Sequence, residues 1–407
     1  MRQVELSLSP LALVLVVTGL LGLIYGATAT WGLPYHADPT TNAVAGWYLG
    51  RTGDPIASQH EMLVDTDRLY YVMWIEGSPR GPVPRYPPGS ALTIAPFYTV
   101  FGGELRPVTV VESGGGPTDP VTVPLPPLWP ATLAAVITTA LACGLLSLSI
   151  TALGADSLTA LGVGLATGLA TGAWSVASNM PWMHGPAMLA VSTALVLSSR
   201  RRWFGAGLSL GFGILIRPLV ALVAAAVGTW IGVRERSWPA FFGIAAGSML
   251  GVVLLLGYDK YVFDVWSISS GYDRPLGLTS GWSMQRTVTN VLLGLFHWRY
   301  GLLIWAPFLV LLVPAAVRAR RWMPSWVSGA ALGGIIYVLA TWRLNRASGG
   351  EGYFGYRYPI EALVAMAPAL WLGLDRLARD GLVRWHWWAV ASIGLATMGQ
   401  AIGAIAT

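Results

Sequence analysis

Long apolar stretches recur along almost the whole chain, and they constrain its fold more than any other feature of the sequence. A helix of about 20 apolar residues crosses the hydrocarbon core of a bilayer, where only helices and closed barrels satisfy their backbone polar groups. The sequence therefore predicts an all-α fold, a polytopic transmembrane helix bundle of about 10 to 12 helices. We expect the spanning helices within residues 11–30, 129–154, 158–178, 187–199, 204–233, 239–258, 300–317, 327–342, 360–374 and 385–406, with 204–233 divided into two short helices around Arg217 and Pro218.

The composition excludes several other classes of protein. Hydrophobic residues make up 54% of the 407 positions and charged residues only 11%, which excludes a water-soluble domain or a disordered chain. The 49 glycines suit closely packed membrane helices, and the 20 tryptophans suit a membrane interface. Cys143 is the single cysteine, so no disulfide framework exists, and its apolar surroundings indicate a packed side chain rather than a redox site.

The positive charge of the chain follows its expected membrane topology. The formal net charge is +6, but the arginines gather in short clusters at the ends of apolar stretches, where the positive-inside rule places them. We therefore expect membrane lipid around the chain and no nucleic acid partner. Lys260 is the only lysine, and this preference for arginine indicates a GC-rich genome. The sequence thus predicts a multi-pass protein in the plasma membrane of a bacterium or an archaeon.

Four arginine clusters are expected on the cytoplasmic side, because clustered positive charge resists translocation. The segments between these clusters then lie alternately on the two sides of the membrane, and three large loops lie outside it. We treat the whole chain, residues 1–407, as one transmembrane domain. The clusters are at 200–202, 234–236, 318–321 and 376–384, and the external loops are at 31–88, 259–299 and 343–359.

Interfacial helices are expected in the first external loop. Residues 40–49 form an amphipathic pattern in which Val44, Trp47 and Tyr48 can lie in the membrane interface. The apolar segment 90–101 is too short for a crossing and is interrupted by Pro96. We therefore expect it to be a re-entrant or interfacial segment, which also keeps the number of crossings consistent with the arginine clusters.

Glycines at one spacing predict a packing surface on one helix. Gly164, Gly168 and Gly172 are four residues apart, which places them on one side of a helix. Small residues at this spacing let a neighbouring helix approach closely, so we expect packing here rather than a ligand site.

Asp38 lies just beyond the first predicted spanning helix and immediately before Pro39. A carboxylate at that height is positioned to act as a general base on a lipid headgroup. The alternative is that Asp38 caps a helix that begins at Pro39, since Asp before Pro is a common start of a helix. The two roles can coexist. Four further acidic candidates follow in the same loop, namely Asp54, Glu61, Asp65 and Asp67.

Several separate arginines are predicted on the same outer face. Arg85 lies in the turn-rich return to the membrane, and Arg299 lies at the beginning of an apolar stretch. Arg217 lies within an apolar stretch, where an ionisable residue is either functional or part of a structural salt bridge. The glycine-rich third loop adds further cations that suit a phosphate. Together these residues indicate a site for an anionic, lipid-linked ligand. The arginines of the third loop are Arg343, Arg346 and Arg357.

Metal binding is considered for four residues and is not favoured. His36, Asp38, His184 and His297 offer ligand atoms, but no histidine pair lies one helical turn apart. His184 is open to three interpretations: a base, a ligand, or a histidine satisfied at the interface. We expect no cofactor, with a divalent metal ion as the alternative.

Five stretches with a common external placement follow one another along most of the chain. In this order they resemble the bacterial C-type (GT-C) integral-membrane glycosyltransferases. They are Asp38 with Ala45, Tyr48, Leu49, Gly53 and Asp54; Tyr86-Pro87-Pro88-Gly89 with Ala95-Pro96-Phe97-Tyr98; Trp182-Met183-His184-Gly185-Pro186; the run from Arg299 to Pro307; and Gly349-Gly350 with Gly355-Tyr356-Arg357-Tyr358.

The resemblance implies a GT-C-like fold and an inverting transfer of a sugar. The donor would be a polyprenyl-phosphate sugar, the acceptor a lipid or a glycan, and the site extracytoplasmic. Asp38 would be the general base, and many family members have a second acid where this chain has Pro39. Arg357, followed by Arg217 and Arg299, would bind the donor phosphate, together with Arg85. The residues expected to bind donor or acceptor are His36, Asp54, His184, Glu351 and Tyr358.

Two other functions are compatible with the pattern. A transporter or lipid flippase requires polar residues and broken helices within the membrane, often with internal repeats. No repeat is evident here, and the acidic residues are predicted in loops rather than within helices, which favours surface chemistry. The third possibility is a non-catalytic membrane subunit that keeps the same fold.

Overall fold

The computed structural model describes residues 8–32, 36–64, 73–110, 121–269, 271, 283–350 and 352–406. Within these ranges the chain is predominantly helical, as predicted, with fifteen α-helices and two β-hairpins. The elements are α1 (Pro10–Thr28), α2 (Ala37–Thr52), β1 (Ile75–Ser78), β2 (Gly81–Pro84), α3 (Pro88–Phe101), β3 (Arg106–Val110), β4 (Val121–Leu125), α4 (Trp129–Thr151), α5 (Ser157–Leu169), α6 (His184–Ser199), α7 (Trp203–Ile216), α8 (Val220–Arg234), α9 (Trp238–Phe263), α10 (Met284–Phe296), α11 (Leu302–Trp305), α12 (Phe308–Ala319), α13 (Ser325–Leu344), α14 (Ile360–Arg379) and α15 (Val383–Ala406).

Five of the described helices are long and apolar enough to cross a membrane, which indicates a membrane protein. They are α1, α4, α9, α13 and α15. Four further helices are apolar but shorter, namely α5, α7, α8 and α12. The prediction of an apolar helix bundle is therefore confirmed. The predicted span 204–233 is divided into α7 and α8 around Arg217 and Pro218, as the sequence indicated.

The long helices run in alternating directions between two ends of the bundle. At one end Thr30, just after α1, donates its N–H to Asn179 O across 2.9 Å, and Thr132 at the start of α4 donates to Thr30 O across 3.0 Å. At the other end Leu8, just before α1, donates its N–H to the hydroxyl of Ser157 at the start of α5. We call the end with Thr30 and Thr132 the Asp38 end.

The arginine clusters lie together at the opposite end, which we call the arginine end. Arg201 Nη2 is 3.7 Å from Glu235 Oε2, which joins the α6–α7 and α8–α9 connections. The Arg376 guanidinium lies 4.0 Å over the ring of Trp322, which joins the end of α14 to the α12–α13 connection. Arg234 Nη1 donates to the hydroxyl of Ser328 at the start of α13 across 2.9 Å, so the four clusters share one end of the bundle, as the positive-inside pattern predicted.

A separate layer with its own hydrophobic core covers the Asp38 end. It consists of α2, α3, the two hairpins and a 3-10 helix (Ser58–Leu63). Its buried side chains include Tyr48 from α2, Ile94 and Tyr98 from α3, and Leu125 from β4. The predicted helix within residues 40–49 is confirmed as part of the longer α2, but Val44, Trp47 and Tyr48 are buried in the core of the layer rather than exposed at a membrane interface.

Helix α3 begins and ends at the Asp38 end and does not cross the bundle. Gly89 at its start lies against the backbone of Leu215 and Ile216, at the end of α7. Tyr98 in its last turn donates its hydroxyl to Pro127 O across 2.8 Å, just before α4. Residues 90–101 therefore do not cross the bundle, as predicted.

Several local elements differ from the sequence prediction. The hairpins β1–β2 and β3–β4 were not predicted, because strands of four or five residues that contain proline show no clear alternation. Helix α10 lies in the predicted loop 259–299, where Asn290 donates to the carbonyls of Trp342 and Asn345 at the end of α13. The predicted span 158–178 ends early, and a π-helical turn (Ala173–Ala177) follows it.

The glycine spacing on α5 corresponds to close packing in three directions. Gly164 lies against Ser147 on α4, and Gly168 lies against Leu21 and Tyr25 on α1. Gly172, just beyond α5, lies against Tyr356 and Ile360 near the start of α14, where an added Cβ would be 2.9 Å from Tyr356 O. The predicted close packing is therefore confirmed, but the prediction of a single helix face is wrong, because α5 ends at Leu169 and the three glycines meet different neighbours. A larger residue at any of these positions would meet a neighbouring helix or loop.

Candidate functional site

Asp38 is the second residue of α2 and its carboxylate is held by three side chains. His36 is the N-cap of this helix, and its carbonyl accepts the N–H of Thr40 across 2.9 Å. Asp38 Oδ1 accepts hydrogen bonds from Trp74 Nε1 at 2.9 Å and from the hydroxyl of Tyr86, and Oδ2 accepts one from Arg357 Nη1 at 2.5 Å. The interpretation of Asp38 as the helix cap is therefore wrong: its oxygens bind side chains.

The guanidinium of Arg357 lies among aromatic rings. Its central carbon is 4.8 Å from the ring centre of Trp182, 5.4 Å from that of Tyr353 and 5.1 Å from that of Tyr358. Its side chain is only 11% exposed. Among the described residues no acceptor binds its buried Nε. The ion pair with Asp38 thus leaves this cation with a donor available for a second anion.

The environment keeps Asp38 and Arg357 charged. Burial favours the neutral carboxyl, but the charge of Arg357 and the hydrogen bonds from Tyr86, Arg357 and Trp74 outweigh it and hold the pKa of Asp38 below its usual value. Burial likewise opposes the charge on Arg357, but the carboxylate of Asp38 raises the pKa of that guanidinium. Burial lowers the pKa of His36, and the nearby Asp38 only partly offsets this.

A second buried cluster of charged groups lies next to the first. His184 Nδ1 is 2.8 Å from Glu361 Oε1, and Arg217 Nη1 is 3.2 Å from the same oxygen. Arg217 Nη1 also lies 2.9 Å from His184 Nδ1, but an arginine only donates, so both groups are satisfied when each donates to Glu361. The side chain of Glu361 is fully buried, and no described residue donates to its Oε2.

Tyr358 lies between the two clusters. Its ring centre is 5.8 Å from the guanidinium carbon of Arg217 and 5.1 Å from that of Arg357. The two cations come from different parts of the fold, since Arg217 follows α7 and Arg357 precedes α14. Both guanidinium groups lie within 6 Å of this ring centre, and each keeps a carboxylate partner. An anion near Tyr358 would be within reach of both arginines.

An apolar groove reaches the first cluster from the side of the bundle. It has a volume of about 300 Å³ and lies between the layer and helices α7 and α9. Tyr86 lines this groove and also donates its hydroxyl to Asp38, so one side chain contacts both. Its other walls include Leu92 of α3 and Leu254 of α9, which are 43% and 61% exposed on the outside of the bundle. The groove therefore runs from the outer surface of the bundle to Tyr86, the residue that donates to the Asp38 carboxylate.

The remaining predicted site residues lie at different distances from this centre. Arg85 is buried behind Trp74, with its guanidinium 4.5 Å from that ring, and it pairs with Glu76 at 3.3 Å and Gly271 O at 2.7 Å. The ring of His36 lies against Gly352, at the edge of the first cluster. Arg85 and His36 are thus neighbours of the site rather than parts of its centre.

Two predicted residues are not brought to the centre. Arg299 is exposed in the α10–α11 connection, and its side chain forms no hydrogen bond or ion pair within the described residues. Asp54 is exposed beyond the far end of α2, about 24 Å from Asp38 along the helix. Its carboxylate accepts the N–H of Ile56 across 3.0 Å. The acids Asp65 and Asp67 and the predicted ligand Glu351 lie outside the described residues.

The sequence interpretation missed Trp74, Tyr353 and Glu361. Trp74 and Tyr353 lie in segments without a recognisable pattern, so only the fold reveals them. Glu361 did carry a signal, because it is a lone acid at the start of an apolar stretch, and ionisable residues there are functional candidates by default. The prediction that the acidic residues lie in loops is wrong for Glu361 and also for Asp259, which is buried in α9.

The four residues considered for metal binding are dispersed among other partners. His184 binds Glu361, Asp38 binds Arg357, and the ring of His297 stacks on that of Tyr300 at 3.9 Å. Within the described part of the chain no three histidine, cysteine, aspartate or glutamate side chains lie close enough together to hold a metal ion.

No protein-family model, curated protein or solved structure matches the chain.

Proposed function

We propose that the chain is a membrane glycosyltransferase of the GT-C type. It transfers a sugar from a polyprenyl-phosphate donor to a hydroxyl of a lipid or glycan acceptor, with inversion at the anomeric carbon. The Asp38 end faces the extracytoplasmic side of a bacterial or archaeal plasma membrane. The observation that carries the proposal is the buried Asp38–Arg357 pair beside an apolar groove.

This arrangement offers the three elements that such a transfer requires. The carboxylate of Asp38 is a base, the guanidinium of Arg357 is a cation with an unused Nε donor, and the groove accommodates part of a lipid chain. Tyr86 contacts both the base and the groove. A lipid phosphate that enters along the groove would therefore arrive next to the base and the cation.

Asp38 has the role of general base. It takes the proton of the acceptor hydroxyl while the acceptor oxygen forms a bond to the anomeric carbon. The bond from that carbon to the phosphate oxygen breaks, and polyprenyl phosphate leaves with the electron pair. A base aligned in this way contributes about 10²- to 10⁴-fold to the rate.

Arg357 couples donor binding to the activity of the base. In the structure it neutralises Asp38, which lowers the pKa of the carboxyl and makes it a weak base. A donor phosphate competes for the guanidinium, because the charge of Arg357 is then shared between two anions. Burial then raises the pKa of Asp38 and favours proton transfer to it. Arg217, on the other side of Tyr358, adds a second positive charge for the leaving phosphate.

The test is sugar transfer from a panel of radiolabelled polyprenyl-phosphate sugars to acceptors in membranes that contain the full chain. Asp38→Asn should lower transfer at least about 100-fold at equal protein level. The matched control is Glu104→Gln, which removes an exposed carboxylate from the same layer and should leave transfer unchanged. Transfer that persists undiminished in Asp38→Asn would refute the role of Asp38.

The orientation of the protein is tested separately with a membrane-impermeant thiol reagent. In a Cys143→Ser background, a single cysteine at Ser58 in the layer is compared with one at Ser237 at the arginine end. Intact cells should be labelled at position 58 and not at position 237. The reverse pattern would place the Asp38 end in the cytoplasm and contradict the proposal.

One observation favours a transporter or flippase as the second candidate. The His184–Arg217–Glu361 cluster is buried where the chain breaks between α7 and α8, and ionisable groups at broken helices are typical of transport sites. This function predicts that a fluorescent polyprenyl-phosphate sugar crosses the bilayer of proteoliposomes that contain the purified chain. Crossing without transfer to any acceptor would favour the transporter, and transfer without crossing would favour the enzyme.

A further inference from the structure

A long apolar cavity lies among four helices that do not line the groove beside Tyr86. It has a volume of about 460 Å³ and lies between α5, α12, α14 and α15. Its walls include Ala166 of α5, Leu312 of α12, Ala367 and Trp371 of α14 and Ile393 of α15. We call this cavity the slot. Nothing in the proposed glycosyl transfer uses it.

The dimensions of the slot restrict its occupant. It extends along α14 from Leu363 to Ala378, which is about 22 Å at the rise of an α-helix. A helix segment of that length, with a diameter of about 10 to 12 Å, occupies roughly 1,700 to 2,500 Å³, which is several times the volume of the slot. The slot therefore excludes a helix of a partner protein and suits a narrow apolar occupant such as an extended hydrocarbon chain.

One end of the slot opens at a membrane interface. Asp375 and His386 line it there, at the arginine end of the bundle. Tryptophans that favour the interface surround this end. Four of them are more than half exposed, which places the level of the lipid headgroups beside His386. They are Trp322, Trp385, Trp387 and Trp388.

The charge at this end is predominantly positive. Residues 318–321 and 375–384, which include the helix ends at this level, contain six arginines and two aspartates. Asp375 pairs with Arg379 at 2.7 Å, and Asp380 pairs with Arg376 at 2.8 Å. Arg384 is exposed and has no ion-pair partner within the described residues. An anionic headgroup at this position would meet uncompensated arginines.

We propose that the slot binds an anionic phospholipid, with one acyl chain between α5 and α14 and the phosphate beside Arg384 and His386. The chain fills a narrow apolar cavity at membrane depth, and the headgroup complements the positive charge at its mouth. Inside the slot, the acyl chain contacts fixed protein side chains instead of mobile bulk lipid. The bound lipid therefore joins α5 to α12, α14 and α15 as an integral part of the bundle.

The position of the acyl chain is tested with a phosphatidylglycerol analogue that carries a diazirine in one acyl chain. The full chain is reconstituted with this probe, irradiated and digested, and the labelled peptides are identified by mass spectrometry. Label should be concentrated in the peptides of α5 and α14. Labelling that is equal on all membrane-facing helices would overturn the proposal.

A filled slot provides the second measurement. Ala166→Trp places a large ring in the cavity, and Ala246→Trp places the same ring on an exposed part of α9 outside it. We expect Ala166→Trp to lower the labelling of α14 at least about ten-fold, whereas Ala246→Trp keeps the wild-type level. Equal labelling of the two variants would overturn the proposal. The labelling of α14 reports where the lipid probe binds and does not depend on the stability of the protein.

The headgroup preference is measured by native mass spectrometry in equimolar phosphatidylglycerol and phosphatidylcholine. Arg384→Gln should reduce the excess of bound phosphatidylglycerol about five-fold, since one basic residue near an anionic lipid contributes about that factor. Arg106→Gln, which changes an exposed arginine at the Asp38 end, is the matched control and should keep the wild-type ratio. A wild-type ratio of one would overturn the anionic assignment.

Discussion

Arg357 Nη1 lies 2.5 Å from Asp38 Oδ2, although 319 positions separate the two residues in the sequence. The pair joins the layer at α2 to the segment that enters α14. Both side chains are largely buried, with 15% of Asp38 and 11% of Arg357 exposed. Separation of these two charges therefore leaves an uncompensated ion in a weakly polar environment.

The first prediction concerns the coupling between these two residues. Arg357→Gln should destabilise the protein by about 3 to 5 kcal/mol, because the carboxylate of Asp38 stays buried without its cation. The double variant Asp38→Asn with Arg357→Gln should lose at least about 1 kcal/mol less than the sum of the single variants. Unfolding of the purified chain in detergent measures each value. Additivity within about 0.5 kcal/mol would show that the pair is not coupled.

The second prediction is an acid-sensitive layer. His60 is fully buried in the layer, where its Nδ1 is 3.1 Å from the hydroxyl of Tyr48 and its Nε2 is 2.7 Å from Pro124 O. Burial lowers the pKa of His60 to about 4, against a small opposing effect of the Pro124 carbonyl. The unfolded chain binds a proton near pH 6.5, so stability is complete above that pH and falls as the pH drops towards 4.

The loss attributable to His60 should be at most about 3 kcal/mol at pH 4. The melting temperature of wild type and His60→Gln, measured between pH 7 and pH 4.5, checks it. The wild type should lose stability over this range more steeply than the variant, which has no group to protonate at this position. Parallel curves for the two proteins would refute the contribution of His60.

The helical part of the fold was predictable because its signal is local. Apolar stretches of sufficient length, such as those of α1, α4 and α15, require only their own residues to be recognised. The division between α7 and α8 was also predicted, since proline disfavours a helix interior and Arg217 precedes it, although α3, α12 and α14 each continue through a proline. The hairpins were not visible, because their short strands depend on pairing and not on a repeating pattern.

The candidate site was only partly predictable, because its geometry depends on contacts between distant segments. Asp38, Arg357, Arg217, His184 and Tyr358 were each proposed from their position on the outer face. The fold brings these five together. The same reasoning proposed Arg299 and Asp54, which the fold leaves exposed, since placement on one face does not determine distance. Glu361 was missed because it lies within a predicted spanning helix, whereas the acidic candidates were sought in the external loops.

The third prediction compares two acids on one helix. Glu361 and Asp375 both lie on α14, but Glu361 is fully buried with Arg217 and His184, whereas the Asp375–Arg379 pair is partly exposed. Glu361→Gln should destabilise the protein by about 3 to 5 kcal/mol, because Arg217 then lacks its buried carboxylate. Asp375→Asn should cost less than about 1 kcal/mol. Unfolding of both variants in the same detergent checks this, and equal losses would show that the buried cluster is unimportant for stability.

The fourth prediction concerns the contact between α7 and α9. Gly251 of α9 lies directly against the backbone of Gly211 of α7, and an added methyl group would overlap it. Gly257, two turns further along α9, has no neighbour within 4 Å of an added Cβ. Gly251→Ala should cost about 1 to 3 kcal/mol, because backbone atoms cannot move aside as a side chain can. Gly257→Ala should be neutral or stabilise by up to about 1 kcal/mol, since alanine favours the helix. Melting temperatures of the two variants measure the difference. A Gly251→Ala variant as stable as Gly257→Ala would show that the two helices do not pack through these glycines.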